Sequence, residues 1–308
     1  MIELPDLMHR TAVSRGAHDW LAALPVRVAQ VCADWALTPG PALAGGSAAL
    51  VLRVRREDGS AAVLRLAPPG DGFAGQVRTL AAADGHGYVR LYAYDADRDA
   101  ALLEPLGPAL AAAGLPPERV LDVMAATLRQ AWLVPSPPDA AVPPGTDKAS
   151  TLIELIEQLW AETGQPCPAA VVDRALDYAR RRADAFDPEA AVVCHGDAHP
   201  DNALAVLSPR PGAESGYVFV DPDGFLCDPG YDLGVVVRGW EDELLAAADP
   251  VALLRGWCAR LSAATGVDAQ VIWEWAFVER VSSGLYMIRH GQPDAGRAYL
   301  ASAARLLG

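Results

Sequence analysis

The stretch that most constrains how this 308-residue chain can fold is Ala191–Leu233. It reads AVVCHGDAHPDNALAV, then an intervening segment, then YVFVDPDGFLCDPGYDL. Its two short apolar runs, Ala191–Cys194 and Val218–Val220, predict two buried strands, because brief apolar runs bounded by turn residues are typical of strands inside a core. An aspartate follows each run, Asp197 after the first and Asp221 directly after the second. The pattern therefore predicts a carboxylate on the loop that follows each of the two strands.

An asparagine completes the pattern, since Asn202 lies five residues beyond Asp197. Phosphoryl transfer needs alignment and charge neutralisation more than covalent chemistry, with a carboxylate facing the attacking hydroxyl. Mg²⁺ prefers carboxylate and amide oxygens. We therefore expect Asp197 to act as the catalytic base, and Asn202 and Asp221 to bind Mg²⁺. A polar turn between two strands is the structural alternative, and the second acidic strand end argues against it.

The residues before this stretch predict a small sheet with one inserted helix. A helix is expected first, at Ala17–Leu37, from apolar residues at helical spacing, and Pro39–Gly46 is expected to break the pattern. Apolar runs separated by turn residues then predict four strands and a helix. The strands are Ala48–Val54, Ala61–Leu66, Tyr88–Tyr94 and Ala100–Leu103, and the helix is Phe73–Ala83. This order predicts an α+β lobe built on an antiparallel sheet.

Helices dominate after a Gly/Pro/Ala-rich connector at Gly107–Pro117. The predicted helices are Pro117–Leu133, Ser150–Thr163, Ala169–Phe186, Asp249–Ala264, Asp268–Arg289 and Asp294–Leu307. Ser150 is the expected N-cap of the second of these helices. A chain of this length can bury enough core for two lobes. We therefore predict a smaller N-terminal lobe over residues 1–106 and a mainly helical C-terminal lobe over residues 107–308.

Charge and composition limit the expected partners. The net charge of −14 disfavours nucleic acid, whose phosphates an acidic surface repels, and would attract a cationic substrate, although solubility alone also accounts for it. No apolar run is long enough to cross a membrane, and the first residues lack a signal-peptide pattern, which predicts a cytoplasmic protein without membrane contact. The five scattered cysteines predict reduced thiols. The sequence leaves a monomer and a homodimer equally open.

The segment HGDAHPDN, together with the later VDPDGFLCDPGYDL, resembles the aminoglycoside phosphotransferase family, which has a protein-kinase-like fold. The chain is most similar to the streptomycin 6-kinase-like branch of that family. This similarity depends on the DPGYDL pattern, on GHGYVRLYAYD ahead of ALLEPL, and on ERVSSGLY late in the chain. The resemblance covers roughly residues 20–300, and it implies a bilobal α+β kinase fold.

The resemblance also implies a role for each matching residue of the central stretch. Asp197 corresponds to the catalytic base, and Asn202 and Asp221 correspond to the Mg²⁺ ligands. His195 corresponds to a residue that braces the catalytic loop. Asp232 corresponds to a buried aspartate that anchors this loop by hydrogen bonds.

A nucleotide site is implied in the N-terminal lobe. Glu104 and Leu106 flank a proline in a segment that resembles the hinge, whose main chain bonds the adenine edge, so they are candidate contacts of ATP or GTP. Gly45, Gly46 and Ser47 resemble the loop that covers the phosphates, where small residues let main-chain N–H groups approach oxygens.

Two residues depart from the family pattern. Arg65 stands where the family has a lysine on its third strand, and Gln76 stands where it usually has a glutamate on the following helix. Arginine can bind two phosphate oxygens at once, whereas lysine acts as a compact point charge, so the exchange is not conservative. We expect Arg65 to bind phosphate. An Arg65 that faced solvent would favour weak nucleotide binding or a pseudokinase.

Two clusters of aromatic and acidic residues are candidates for the substrate site. The first consists of Trp240, Glu241 and Asp242, and the second of Trp273, Glu274, Trp275 and Glu279. A polycationic substrate needs carboxylates to pair with its charges and flat rings to stack on. The alternative is a solvated acidic helix end together with tryptophans of the core.

Two smaller questions stay open at this point. Asp223 lies two residues past Asp221, where it either helps to bind the metal or caps the turn at Gly224. A zinc site that includes His195 and His199 is conceivable, but these residues lie on a loop and no fourth ligand is evident.

The predicted function is ATP- and Mg²⁺-dependent O-phosphorylation of a small molecule, with a streptomycin-type aminoglycoside as the expected acceptor and antibiotic inactivation as the result. Two alternatives remain, a kinase of another small hydroxyl metabolite and a nucleotide-binding pseudokinase. The acceptor hydroxyl and the choice between ATP and GTP do not follow from the sequence.

Overall fold

The computed structural model describes residues 4–43, 49–70, 72–136, 142–143 and 145–307. Its N-terminal part is built on a five-stranded antiparallel sheet. The strands are β1 (Thr38–Ala42), β2 (Leu50–Arg55), β3 (Ala61–Leu66), β4 (Leu91–Asp95) and β5 (Ala100–Leu103). Their spatial order is β1-β2-β3-β5-β4, so β3 is the central strand.

One face of this sheet packs against two helices, α1 (Asp6–Ser14) and α2 (His18–Asp34). Successive side chains of a strand point to opposite faces, so alternate residues of β3 lie on the two faces of the sheet. Leu64 is fully buried in a cluster with α1 and α2, whereas Val63 and Arg65 line a cavity on the other face. The central strand therefore supplies core on one side and Arg65 to a cleft on the other.

The next helix, α3 (Phe73–Ala83), has the predicted bounds. Phe73, Val77 and Leu80 belong to the buried cluster of the C-terminal helices and not to the cluster under α1 and α2. The helix therefore packs across the predicted boundary at residue 106, and the division into two lobes at that residue stays a prediction.

The C-terminal part is mainly helical, as predicted. A single 3₁₀ turn at Leu110–Ala113 precedes its helices. These are α4 (Pro117–Ala131), α5 (Lys148–Glu162), α6 (Ala169–Asp184), α7 (Gly230–Val236), α8 (Glu241–Ala246), α9 (Pro250–Thr265), α10 (Ala269–Arg289) and α11 (Pro293–Arg305). Helix α10 is buried on all sides through its middle, because its apolar residues do not form a single stripe. It is the central helix against which α6, α7, α9 and α11 pack.

The predicted catalytic stretch lies on two small antiparallel sheets. One has three strands in the order β6-β8-β9, where β6 is Leu106–Ala109, β8 is Ala203–Val206 and β9 is Tyr217–Phe219. The other pairs β7 (Val192–Cys194) with β10 (Phe225–Cys227). Both apolar runs that the sequence analysis singled out are therefore strands, one in each sheet.

Several local predictions need correction. Ser150 is not the N-cap of α5: the helix begins at Lys148, and the Asp147 side chain caps it by accepting the Ser150 N–H at 3.0 Å. The helical pattern does end before Pro39, as predicted, but the segment also holds the unpredicted strand β1, because an edge strand tolerates prolines. The strand predicted from Tyr88 begins only at Leu91.

The described residues contain no helix with both the length and the hydropathy of a membrane-spanning segment. All five cysteines are free, and four of them are buried.

Candidate active site

A buried carboxylate fixes the loop that follows β7. Asp232 lies on α7 with no exposed surface. One of its oxygens accepts the backbone N–H of His195 at 2.9 Å and the indole N–H of Trp132 at 2.9 Å, and the other accepts the backbone N–H of Gly196 at 2.9 Å. Hydrogen bonds to an ionised acceptor are the stronger class, so the loop backbone is held firmly.

Gly196 is required by this arrangement. Its φ is +92°, a conformation that side chains disfavour. A Cβ placed here would lie 2.6 Å from the Cβ of Asp223, which is closer than real Cβ contacts come. Asp223 is therefore packed against the loop, and its backbone N–H donates to the His195 carbonyl at 2.7 Å.

His195 connects the loops that follow β7 and β9. It is fully buried, and its Nδ1 accepts the backbone N–H of Asp197 at 3.1 Å while its Nε2 lies 2.9 Å from the carbonyl of Val220. These partners assign the neutral tautomer with the proton on Nε2. Because both ring nitrogens are occupied, His195 has no free nitrogen for a zinc ion.

Asp197 is the candidate base, and both of its carboxylate oxygens have a partner. Arg238 Nη2 lies 2.5 Å from Oδ1, and His199 Nε2 lies 3.3 Å from Oδ2. Burial alone would raise the pKa of Asp197, but the hydrogen bond from His199 and the charge of Arg238 outweigh it and lower that pKa well below the usual range. The carboxylate is therefore ionised throughout the neutral pH range, as a proton acceptor requires.

Arg238 is itself held by a second carboxylate. Its Nη1 lies 3.1 Å from Oε2 of Glu279, whose side chain is only 4% exposed. Although burial opposes it, the combined charge of Glu279 and Asp197 raises the pKa of the Arg238 guanidinium. Arg238 is thus a permanently charged link between α10 and the candidate base.

Asn202 and Asp221, the predicted metal ligands, lie side by side at the strand ends. The side-chain NH₂ of Asn202 donates to the backbone carbonyl of Asp197 at 3.0 Å, so the side-chain oxygen is not used in this bond. The backbone carbonyl of Asn202 accepts the N–H of Val220 at 3.0 Å. Asp221 has a φ of +53° and a half-exposed side chain. Both residues line the large cavity. An amide oxygen and a carboxylate that face one cleft fit the hard oxygen ligands that Mg²⁺ prefers.

The large cavity has a volume of about 780 Å³ and lies between the five-stranded sheet and the predicted metal ligands Asn202 and Asp221. Its polar lining residues include Arg65, Glu104, Asn202 and Asp221, and the predicted hinge residue Leu106 also lines it. Its walls are apolar and include Val51, Val63, Val89, Leu103, Leu204 and Val220. The cavity therefore has apolar walls, which suit a flat ring, and charged residues in its lining, which suit phosphate and metal.

The predicted residues Gly45, Gly46 and Ser47 lie outside the described residues.

Arg65 does not face solvent. Its side chain is 8% exposed, and its Nε lies 3.0 Å from Oδ1 of Asp221. The arginine thus reaches across the cleft from β3 to a predicted metal ligand. This position excludes the alternative in which Arg65 points away from the site.

A second cavity, of about 440 Å³, lies on the other side of the catalytic loop. His199, Asp201, Arg238, Trp240 and Tyr299 are among its lining residues. Asp201 lines both cavities, and the two partners of Asp197 line the second. The candidate base thus contacts lining residues of both cavities, Asn202 of the first and His199 and Arg238 of the second.

The predicted substrate residues Trp240, Glu241, Asp242 and Glu279 lie in different surroundings in the structure. Trp240 lines the second cavity, where its ring lies 5.2 Å from that of Trp257. Glu241 and Asp242 occupy the first turn of α8. Glu279 is buried and pairs with Arg238, so it can act on a substrate only through that arginine.

The remaining members of the second cluster belong to the core. Trp273 and Trp275 are buried, and the Trp275 ring packs edge-on against Tyr231 at 5.1 Å. Glu274 is also buried, with Oε2 2.8 Å from Arg182 Nε. Of the two interpretations left open by the sequence, the structure therefore supports residues of the core for these three, because this face of α10 is buried.

Residues 34–291 match the family described as aminoglycoside/hydroxyurea antibiotic resistance kinase. The chain belongs to this family. It is 27% identical to streptomycin 6-kinase from Streptomyces glaucescens over 311 residues, which cover 99% of this chain and 98% of that protein. It is 29% identical to hydroxyurea phosphotransferase from Kitasatospora aureofaciens over 321 residues, which cover 99% of this chain and 85% of that protein.

A solved structure supports the fold. Choline kinase LicA from Streptococcus pneumoniae aligns with a TM-score of 0.60 and 14% identity, covering 92% of this chain and 98% of that one. The predictions of a protein-kinase-like fold and of a phosphotransferase are therefore confirmed. The chain is a small-molecule kinase of an antibiotic-resistance family.

Proposed function

We propose that this kinase transfers the γ-phosphoryl group of ATP, with Mg²⁺, to a hydroxyl group of a streptomycin-type aminoglycoside. The observation that carries the proposal is that Asp197 contacts lining residues of both cavities. One cavity presents Asn202, Asp221 and Arg65, and the other presents His199 and Arg238. A nucleotide in the first cavity and an acceptor in the second would meet at the candidate base.

Each residue then has a chemical role. Asp197 accepts the proton of the acceptor hydroxyl as the bond to phosphorus forms. Asn202 and Asp221 would hold Mg²⁺, which neutralises phosphate charge when bound. Arg65 contacts phosphate oxygens in place of the usual lysine. Arg238 and His199 keep the Asp197 carboxylate oriented, since they bond its two oxygens.

The acceptor class is supported by the relatives and by the second cavity. Streptomycin is the substrate named for one relative, and Trp240 offers this cavity a flat ring on which a sugar or a guanidinium can stack. Asp201 supplies a carboxylate at the cavity wall.

A second candidate acceptor is a small uncharged hydroxyl compound, of which hydroxyurea is an example. Two observations favour it. Another relative is a hydroxyurea phosphotransferase, and the predicted carboxylate Glu279 is engaged by Arg238 and so does not present a free charge to a cation.

An assay of ADP release separates the two. Purified protein is incubated with Mg-ATP and either streptomycin or hydroxyurea, and the product is examined by mass spectrometry for the gain of one phosphoryl group. Acceptor-dependent ADP release with streptomycin supports the first candidate, and release with hydroxyurea alone supports the second. Nucleotide binding without any acceptor-dependent turnover would instead support a pseudokinase.

A further inference from the structure

A buried ion pair lies directly beside the predicted hinge. The side chains of Glu104 and Arg210 are 10% and 8% exposed. Arg210 approaches the Glu104 carboxylate with two nitrogens, Nη2 toward Oε1 and Nε toward Oε2, the latter at 3.2 Å. This two-pronged geometry fixes the orientation of both groups, because a planar guanidinium matches a carboxylate only in one plane.

The remaining donors of Arg210 are also used. Nη1 donates to the carbonyls of Gly85 at 2.6 Å and Pro211 at 3.2 Å, and Nη2 donates to the carbonyl of Tyr88 at 3.0 Å. A single guanidinium therefore joins three segments that are distant in sequence. They are the loop between β8 and β9, the connector between α3 and β4, and the hinge.

The connector between α3 and β4 is docked on the C-terminal part by its backbone as well. The Gly87 N–H donates to the Gly212 carbonyl at 2.7 Å, and the Phe219 N–H donates to the Gly87 carbonyl at 2.8 Å. The Val89 N–H then donates to the Phe219 carbonyl at 2.9 Å. The connector that Arg210 links to the hinge by hydrogen bonds is therefore itself held in place by backbone hydrogen bonds.

The backbone of Arg90 holds Glu104 at both its main chain and its carboxylate. Its N–H donates to the Arg90 carbonyl at 3.0 Å, and the Arg90 N–H donates to Oε1 of Glu104 at 2.9 Å. Glu104 also lines the large cavity, next to Pro105 and Leu106. Any movement of its side chain would therefore move main-chain groups at the wall of the cavity.

We propose that Arg210 is a positioning residue for the nucleotide base. By holding the Glu104 carboxylate, it fixes the hinge main chain in the place where an adenine edge would bond, while leaving the phosphate end of the cavity untouched. Removing two charges from water opposes folding, so a pair this buried is better explained by the geometry that it specifies than by stability. The inference rests on the proposed use of ATP.

The test compares a ligand that has a base and phosphates with a ligand that has phosphates only. Arg210→Lys keeps the charge but cannot reproduce the fork, and Glu104→Gln keeps the shape but loses the charge. Calorimetry gives the affinity for Mg-ADP, and competition against ADP gives the affinity for Mg-tripolyphosphate, which has no base. We expect ADP to bind about tenfold more weakly in each variant, as the loss of one good hydrogen bond implies, and tripolyphosphate to bind as in the unmodified protein.

A second forked pair provides the control. Arg260 holds Asp122 through Nε at 2.7 Å and Nη2 at 2.8 Å, but on the exposed surface of the helical part. Arg260→Lys and Asp122→Asn are expected to leave both affinities unchanged. Equal weakening of ADP and tripolyphosphate in the Arg210 and Glu104 variants, or no weakening of either, would overturn the inference. Failure of the unmodified protein to bind ADP would instead overturn the proposed function.

Discussion

The candidate base and one of the predicted metal ligands are each paired with an arginine of the chain itself. Asp197 contacts Arg238, and Asp221 contacts Arg65. Neither carboxylate is fully buried, since their side chains are 41% and 50% exposed. Each is therefore oriented by its arginine and still open to a ligand.

The first prediction concerns Asp197 itself. Asp197→Asn removes the proton acceptor, so we expect kcat to fall by roughly 10²–10⁴-fold, the usual contribution of a general base. The variant should still fold, because Asn keeps the shape of the side chain, but its melting temperature should fall, because Asn cannot form the ion pair with Arg238. Steady-state ADP release and thermal unfolding measure the two. Full turnover in the variant would contradict the assignment.

The second prediction concerns pH. The positive charge of Arg238 favours ionised Asp197, so removing it raises the pKa of that carboxyl, and the carboxylate is lost at a higher pH. The double variant Arg238→Gln, Glu279→Gln removes the charge without leaving Glu279 buried and unpaired. As the pH is lowered, its kcat should begin to decline at a higher pH than the kcat of the unmodified protein.

The charge of Arg238 also stabilises the folded protein at any pH above the ordinary pKa of a carboxyl group. This stabilisation is lost as the pH falls through the lowered pKa that Asp197 has in the folded protein.

The control for this shift is Arg238→Lys, which retains the charge. It should keep the acidic limit of the unmodified protein even where kcat itself is lower. An acidic limit that stays in place in the double variant would show that another group sets the pH dependence.

The sequence predicted the residues of the central stretch by spacing and resemblance, but it missed the long-range contacts of Arg238 and Arg210. Asp197 and Asn202 could be singled out because they lie on one loop. Arg238 contacts Asp197 across 41 residues, and Arg210 contacts Glu104 across 106. No spacing rule links such pairs, and only the folded chain brings them together.

Among the helices and strands, those that show a helical period or an apolar run bounded by turn residues were predictable. Helix α3 and strands β3 and β5 have the predicted bounds. The sequence pattern did not single out β8 and β10, which hold four and three residues, too few for a period to show. Helix α10 was located correctly, but the sequence left open whether its aromatic and acidic residues form a substrate surface or core, because a helix enclosed on all sides has no polar stripe.

The third prediction concerns the connector between α3 and β4. Gly87 has a φ of +69°, and a Cβ there would lie 2.3 Å from the backbone nitrogen of Ala131 on α4. Gly87→Ala should therefore lower the free energy of unfolding by more than the roughly 1 kcal/mol expected for a positive φ alone. Gly114→Ala is the matched control, since Gly114 has a φ of +64° and nothing within 4 Å of that position. Urea denaturation measures both, and equal losses would contradict the docking of this connector.

The fourth prediction concerns the segment before α8. Arg280 on α10 is fully buried and donates to the carbonyls of Val237 at 2.7 Å and Gly239 at 3.2 Å. Burial lowers the pKa of its guanidinium to about 10, so it stays charged at neutral pH. These bonds flank Arg238 and precede Trp240, whose φ is +57°. Arg280→Lys should raise KM for the acceptor and leave KM for ATP unchanged.

Arg305→Lys is the control for this variant. Arg305 also donates to backbone carbonyls, those of Leu244, Leu245 and Ala247, but these lie within and just after α8 and do not line the second cavity. Steady-state kinetics should show no change in acceptor KM. A change of the same size in both variants would mean that Arg280 only supports the fold.

At the scale of the whole molecule, net charge distinguishes the two candidate acceptors. With a net charge of −14, the protein attracts a cation over long distances, and salt screens this attraction. We expect kcat/KM for streptomycin to fall by roughly tenfold between about 0.01 M and about 0.5 M salt. The value for hydroxyurea, which carries no charge, should stay constant. A streptomycin reaction that ignores salt would show that long-range charge has no part in its binding.

In the proposed nucleotide site, the contact between Arg65 and Asp221 would link the binding of phosphate to the binding of a cation. Arg65 and Asp221 hold each other, so each ligand competes with the present partner of the group that it binds. A phosphate that takes Arg65 from Asp221 would release the carboxylate, and a cation that takes Asp221 would release the arginine. Each ligand would therefore remove the competitor of the other, and such coupling is reciprocal by thermodynamic necessity. This exchange of partners would make metal and nucleotide bind cooperatively, without a change of shape.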